Sequence, residues 1–429
     1  MKKMDKQKKL CFITALLIMG GSDTLLLSQC SKLVQKGYGV ALYSLYPIDK
    51  KRSMYHKFIE RGIVVRSPAN TVKIVVGSID RLIVAPIYLM KRLCHRIVNY
   101  AESSGKTRFS GEDGLGHGKV IALLKRLRGT FSAASLYKVI LYLSICHNDV
   151  QDNYSLISVF HYTNYDLSYY LKKRLKIPVF YTEISSPKWR KGWMDNRKLR
   201  KYINTFDKIL VPSELIANEL KEFEGLERDF ITLPFCIDLP SREYKKIHKI
   251  AKTFGNIGRM SDEKNQDILI RVLQLVMESE PEAKLILVGE GPRKVKYETL
   301  ASNLKIEDNV MFIPHFENMD CVMEKIDIFV MVSDVEGMPL TLIEALSYGK
   351  PILATNVGAI SEMVINGFNG YLIDKNNIED IKNKILLLWN NENLYQVFSK
   401  NSRKLYEEKY SYEKGTERLE NVYSNETNM

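Results

Sequence analysis

Short apolar runs of strand length alternate with segments of helical period through most of this chain, and no other feature narrows its fold as much. A strand buried on both faces reads as a continuous apolar run. Strands of that kind separated by helices pair in parallel, with helices covering both faces of the sheet. Residues 10–19 open as such a strand, Gly20-Gly21-Ser22-Asp23 as a glycine loop, and residues 24–35 as a helix with leucines and Val34 at helical spacing. Gly37 closes that helix and residues 40–43 resume a strand. Residues 63–65, 155–161, 179–182, 208–213 and 231–234 predict further strands, with a helix over 167–175. A charged linker at 238–249 ends this run, and a second alternation starts at Thr253 and continues to about Leu388. The expected architecture is therefore α/β, with two doubly wound, Rossmann-like domains over 1–240 and 241–405. Residues 406–429 form a third segment, with a polar, aromatic-bearing helix at 410–423.

Length supports two domains, since 429 residues exceed one ordinary core. Six cysteines (Cys11, Cys30, Cys94, Cys146, Cys236, Cys321) are scattered without the paired spacing of a zinc site or disulfide framework, which fits a reducing cytoplasm. Residues 2–19 imitate the basic and apolar parts of a signal peptide. They lack a small-x-small cleavage site and are too short to span a bilayer, so the strand reading is preferred. Residues 139–146 are likewise only strand- or core-sized. The net charge of +13 is uneven: Arg66 to Val150 holds thirteen Lys and Arg against five Asp and Glu. Such asymmetry points to a polyanionic surface. No helix-turn-helix, zinc finger or aromatic RNA-binding signature accompanies it, so nucleic acid is set aside. Around residues 88–98, Lys91, Arg92, His95 and Arg96 occupy one arc of a helical wheel opposite Leu89, Met90, Leu93, Cys94, Ile97 and Val98. Lys125, Arg126 and Arg128 make a second basic cluster beyond the polar loop 103–118. Docking on an anionic membrane and simple packing on the sheet with solvated basic faces both fit this pattern.

The chemistry concentrates in residues 333–346, where an apolar strand, a tight glycine turn and a helix start meet. Gly337 permits close backbone approach, and Pro339 suits the first residue of a helix. The amides of Leu340 and Thr341 then project from a positive helix end, which favours a phosphate. Glu336 and Glu344 bracket the turn, so one acid can face the reacting end of a bound molecule and the other its far end. A nucleoside diphosphate-sugar has that layout.

This stretch resembles the signature of the retaining glycosyltransferases of family 4, which have the GT-B fold of two facing Rossmann-like domains and a C-terminal helix crossing back to the first. Their Glu, seven residues, Glu pattern stands here as Glu336 to Glu344, with Gly337, Met338 and Pro339 inside it. Gly258-Arg259-Met260-Ser261-Asp262-Glu263-Lys264-Asn265 is similar to the family's basic phosphate clamp, and Leu287-Val288-Gly289-Glu290-Gly291-Pro292 to its glycine turn. Gly358-Ala359-Ile360-Ser361-Glu362 resembles the loop that follows. The likeness is dense from about residue 254 to 374 and thinner before.

The resemblance implies transfer of a sugar from a nucleoside diphosphate-sugar, by family frequency a UDP-sugar, with retention of configuration. It assigns Arg259 and Lys264 to the leaving diphosphate, Glu336 to the sugar hydroxyls and Glu344 to the ribose. Gly20, Gly21, Gly258, Gly289, Gly291, Gly337, Met338, Pro339, Leu340 and Thr341 would line the donor, with His315 and Phe316 beside the base. Developing charge on the diphosphate can be stabilised by a divalent metal or by fixed cations with a helix end. No Asp-x-Asp occurs in the chain, so no metal and no cofactor are expected. His161 lies near the place of a family histidine beside the transferred sugar. Departures are Asp23 for a longer acid, Thr182-Glu183-Ile184 where Thr-x-His is common, and Pro234-Phe235-Cys236-Ile237-Asp238 for Pro-Asn-Gly-Ile-Asp. The expected role is extension of a cell-surface polysaccharide such as capsule or lipopolysaccharide, on a glycan or lipid-linked acceptor, at the inner face of the plasma membrane. A catalytically silent sugar-nucleotide-binding scaffold subunit and a GT-B sugar-nucleotide epimerase remain open.

Overall fold

The structure is a computed structural model that describes residues 8–15, 21–45, 48, 54–67, 138, 141–142, 145, 153–160, 164–190, 196–237, 250–314 and 320–427. The basic helix expected at 88–98, the Lys125 cluster, loop 103–118 and linker 238–249 lie outside the described residues, as do Gly20, His161, His315 and Phe316.

The described strands form two sheets. The first contains β1 (Lys9–Thr14), β2 (Gly39–Ser44), β3 (Val64–Arg66), β4 (Tyr154–Phe160), β5 (Val179–Thr182), β6 (Lys208–Val211) and β7 (Ile231–Thr232), in the order β3-β2-β1-β4-β5-β6-β7. The second contains β8 (Thr253–Ile257), β9 (Lys284–Val288), β10 (Val310–Ile313), β11 (Ile328–Met331), β12 (Ile352–Thr355) and β13 (Gly370–Ile373), in the order β10-β9-β8-β11-β12-β13. The described pairings between these strands are parallel, among them Phe254 with Leu285, Ile328 with Phe254 and Phe329 with Ile352. The chain winds outward from β8 through β9 to β10, returns, and winds outward the other way from β11. A topological switch therefore falls between β8 and β11, and the crevice outside their carboxyl ends is where such sheets take ligands.

The strands form where the chain is buried on both faces: every residue of β8, β11 and β12 is buried, most of them apolar. Phe254, Leu285, Leu287, Ile328, Val330 and Leu353 make one core with Leu269, Leu273 and Val276 of the helix Gln266–Met277 and Ile381, Ile385 and Leu388 of the helix Ile378–Asn390. Each helix turns an apolar stripe at three- and four-residue spacing onto the sheet.

The chain divides into two compact units. One gathers Met1–Met19, Leu33–Tyr181 and Tyr202–Asp207; the other gathers Gly20–Lys32, Thr182–Lys201 and Lys208–Met429. Within the second, the helix Tyr412–Thr427 returns to the N-terminal segment: Tyr412 Oη donates to the Ser28 carbonyl at 3.5 Å, and Lys32 Nζ lies 5.4 Å from the Tyr412 ring centroid. A Cβ on Gly415 would lie 2.2 Å from Cys236 Sγ, so only glycine admits that sulfur.

Two expectations need correction, and a third resolves to one of its alternatives. The first helix spans Gly21–Gln35, so Gly21, Ser22 and Asp23 form its opening turn rather than a loop; an acid at that end favours helix over loop. The stretch 139–146, read as strand- or core-sized, takes the second form: Leu141, Tyr142 and Ile145 are helical, with Leu141 and Ile145 buried. The first strand ends at Thr14, well short of residue 19.

Candidate active site

Two glycine turns meet back to back at the ends of β8 and β9. Gly258 N donates to the Val288 carbonyl at 2.9 Å, and Met260 N to the Glu290 carbonyl at 3.0 Å. Gly289 has φ of +137°, and a Cβ there would lie 2.2 Å from the Gly258 oxygen; a Cβ on Gly291 would lie 2.2 Å from the Met260 oxygen. Glycine is thus required for the approach and, at Gly289, for the conformation as well. The turn carrying Arg259 is held from below by a buried polar chain. Gln266 Nε2 donates to Asn256 Oδ1 at 3.0 Å and to the Gly258 carbonyl at 3.3 Å, and Asn256 Nδ2 donates to the Val330 carbonyl at 2.8 Å. Arg259 itself is exposed at the crest of the turn.

Lys264 closes the 3-10 turn Asp262–Lys264, and a backbone bond and a side-chain bond tie that turn to the chain just after β11. Asp334 N donates to the Glu263 carbonyl at 2.8 Å, and Asn265 Nδ2 to the Val332 carbonyl at 3.2 Å. Lys264 Nζ consequently reaches Glu336 Oε1 at 2.5 Å, joining two predicted site residues 72 positions apart. Glu336 is 7% exposed, so its carboxylate is largely removed from water and has an ammonium as partner. Around them Arg293 pairs with Asp262 and Lys375 with Asp334. The Glu336–Gly337 backbone is backed by a second loop: Gly358, at φ +55°, leaves no room for a Cβ against the Glu336 oxygen, and Ala359 N donates to the Gly337 carbonyl at 2.8 Å.

The helix Leu340–Ser347 starts one residue later than expected. Pro339 is its N-cap, with φ −72° and ψ 119°, rather than its first helical residue. The Leu342 amide bonds back to the Pro339 carbonyl at 3.1 Å, and the amides of Leu340 and Thr341 stand in the first turn, where no intrahelical acceptor exists. Met338 is buried, its sulfur accepting from the Phe235 amide at 3.3 Å, so its side chain serves packing. A Cβ on Gly21 would sit 3.5 Å from Leu340 Cδ1, which places Gly21 beside this helix start. Glu344 is half-buried on the same helix, and loss of hydration pushes its carboxyl up to about 7.

The structure thus brings Gly258, Arg259, Lys264, Gly289, Gly291, Glu336, Gly337, Leu340, Thr341 and Glu344 to the carboxyl ends of β8, β9 and β11 or to the helix after β11. Sequence reasoning missed Asn256 and Gln266, although a polar residue inside the buried run 253–257 is a readable signal. It also missed the reach of Glu362, which accepts from the Leu215 amide. Among the described residues no three of His, Cys, Asp and Glu are grouped as a metal site would require.

Two parallel Rossmann-like sheets of this order define a GT-B protein. Solved structures agree in fold: TarM aligns with a TM-score of 0.71 at 16% identity over 99% of both chains. Anabaena HepE, solved in complex with UDP, aligns at 0.68 and 14% identity over 98% of this chain and 100% of its own. Residues 241–405 match the family described as Glycosyl transferases group 1. An uncharacterized glycosyltransferase of Methanocaldococcus jannaschii is 30% identical over 267 residues, 59% of this chain and 70% of its own. The chain belongs to the glycosyl transferases group 1 family. An uncharacterized glycosyltransferase of Haemophilus influenzae is 34% identical over 222 residues, 51% of this chain and 62% of its own. A poly(ribitol-phosphate) alpha-N-acetylglucosaminyltransferase of Staphylococcus aureus is 32% identical over 188 residues, 42% of this chain and 38% of its own. The chain therefore spans less than two thirds of the length of these last two relatives.

Proposed function

We propose that the protein is a retaining, metal-independent glycosyltransferase that moves a sugar from a nucleoside diphosphate-sugar, with UDP as the favoured nucleotide, to a glycan or lipid-linked acceptor of a cell-surface polysaccharide. The observation that carries this reading is the pairing of Lys264 with Glu336 at the switch point, beside a helix N-terminus that bears Glu344. Cation and carboxylate stand together where a diphosphate would meet its sugar. The UDP bound by HepE and the poly(ribitol-phosphate) named for the Staphylococcus relative support the donor and acceptor classes.

In this mechanism the bond between the anomeric carbon and the leaving phosphate oxygen breaks as the acceptor hydroxyl bonds to the same face. The leaving phosphate oxygen takes the acceptor proton, so configuration is retained. Arg259, Lys264 and the Leu340 and Thr341 amides stabilise the charge gathering on the diphosphate. Glu336 receives sugar hydroxyls, and Glu344 receives ribose hydroxyls. A thermal-shift panel of UDP-, GDP- and ADP-sugars followed by transfer assays with chelator tests the proposal. Stabilisation by a UDP-sugar and transfer undiminished by chelator are expected. Activity that dies in chelator and returns specifically with manganese or magnesium would overturn metal independence, and no stabilisation by any of the three would overturn the donor class.

A further inference from the structure

Glu362 stands in the short helix Ile360–Met363, which follows the residues 356–359 that run behind the Glu336–Gly337 turn. Its Oε1 accepts from the Leu215 amide at 3.1 Å, across 147 positions of sequence. Leu215 lies in the first turn of the helix Glu214–Glu224, whose N-cap Ser213 takes the Ile216 amide at 3.1 Å. Two of the amides that a helix start leaves without partners are therefore satisfied, one locally and one by a carboxylate from a segment distant in sequence. That segment is pinned along its length: Gly358 lies flush on the Glu336 carbonyl, Ala359 N donates to the Gly337 carbonyl, and Tyr410 Oη donates to the Glu362 carbonyl at 3.2 Å.

The same helix is tied to the opposite side of the turn. A Cβ on Gly337 would lie 2.9 Å from the Ile184 oxygen and 3.1 Å from Ser185 Cα, so these backbones are in contact. The amides of Ile184 and Ser185 donate to Glu183 Oε1 at 3.0 and 3.1 Å, which sets their direction. Ser186 Oγ then donates to Glu219 Oε2 at 2.6 Å, and Glu219 belongs to the helix Glu214–Glu224. The contacts close on themselves: turn, Ser185, Ser186, Glu219, helix, Leu215, Glu362, Gly358, turn. Every member belongs to the second compact unit.

We propose that Glu362 is a positioning residue for the transfer site: by capping the helix Glu214–Glu224 it closes this ring and sets where the Glu336 carboxylate stands. The inference rests on the role given to Glu336 under the proposed function. A cap that served stability alone would lower the melting temperature and slow every variant alike. A positioning residue acts through Glu336, so its effect vanishes once Glu336 no longer works.

The test is a cycle of Glu362→Ala and Glu362→Gln in the wild-type and Glu336→Gln backgrounds, reading kcat and KM for transfer, with hydrogen exchange of the peptides over 333–340 and 213–217. Glu362→Ala is expected to lower kcat about tenfold with donor KM little changed, as small misplacement of a reacting group does. The same substitution is expected to cost nothing further in the Glu336→Gln background. Glu362→Gln keeps an oxygen for the Leu215 amide and is expected to recover most of the loss. Exchange over 333–340 is expected to quicken in Glu362→Ala, although no residue of that peptide is changed. Equal kcat losses in both backgrounds, or a lowered melting temperature with kcat intact, would overturn the proposal. If the wild type transfers sugar from no nucleotide donor, the proposed function falls; the exchange measurement then decides the ring alone, as it does if the Glu336→Gln background is too slow to read. Unchanged exchange at 333–340 refutes the coupling.

Discussion

At the residue scale the unexpected contact is the ion pair between Lys264 and Glu336. Sequence reasoning gave these residues different partners, phosphate for one and sugar for the other; in the structure each is the other's partner. Binding of a diphosphate at Lys264 then competes with the carboxylate, so Glu336→Gln is expected to bind UDP severalfold more tightly than wild type while transferring sugar more slowly. Calorimetry showing unchanged or weaker UDP binding would count against that competition. Lys264→Ala is expected to slow turnover about a hundredfold, on the order of 3 kcal/mol of barrier, because a preorganised stabiliser of developing charge is gone. It should also lower the melting temperature, since Glu336 is left buried without its cation. A loss of turnover below about threefold would remove Lys264 from the phosphate role. Glu344 carries a pH prediction. Burial raises its carboxyl from 4.5 to about 7, so between those values the folded protein holds a proton that the unfolded chain has released. The stability this contributes is fully present below the unfolded value and is lost as pH rises through the folded one. Melting temperatures measured across that window should show this fall in wild type and a shallower one in Glu344→Gln. A slope identical in the two proteins would exclude Glu344 as its source.

At the scale of elements, the glycine turns decide how closely the Arg259 turn approaches the end of β9. Gly37 and Gly289 both have positive φ, at +89° and +137°, but a Cβ on Gly37 meets nothing within 4 Å while one on Gly289 overlaps the Gly258 backbone. Gly37→Ala is therefore expected to cost only the conformational strain, about 1 kcal/mol. Gly289→Ala should cost clearly more and also reduce donor binding, because the Arg259 turn must move away. Denaturant unfolding of the two variants, with equal losses of stability, would refute this. Most elements near the site were legible from burial patterns: the strand 179–182 coincides with β5, and Ser213 caps its helix as its residue type suggests. The start of the first helix was not, because glycines at 20 and 21 read locally as a loop, whereas packing beside Leu340 and an acid in the first turn favour the helix. The polar chain Asn256, Gln266 and Gly258 was equally hidden, since each member looks like an ordinary polar residue until the fold buries it.

At the scale of the whole molecule, no helix among the described residues is long and apolar enough to cross a membrane. Attachment to an anionic surface remains a proposal resting on charge, the eight-residue excess of Lys and Arg over Asp and Glu between Arg66 and Val150. Each basic side chain near such a surface contributes about 1 kcal/mol, and salt screens it. The protein is expected to sediment with vesicles of anionic lipid at low salt, to leave neutral vesicles largely unbound, and to lose binding when Lys91, Arg92 and Arg96 become Gln. Equal binding to neutral vesicles, or binding indifferent to the substitutions, would reduce the basic arc to a solvated helix face. Local pattern was enough for the α/β class, the two alternating runs, the Glu336 to Glu344 turn and the glycine turn at 287–292, because apolar runs, helical period and turn chemistry are properties of neighbouring residues. Which side chains meet was settled elsewhere. The strand order that sets β8 beside β11, the Lys264 ammonium on Glu336, and the Glu362 carboxylate on a helix 147 positions away depend on pairings between segments remote in the chain. Such pairings are chosen by burying one common core, and no stretch of sequence read alone contains that choice.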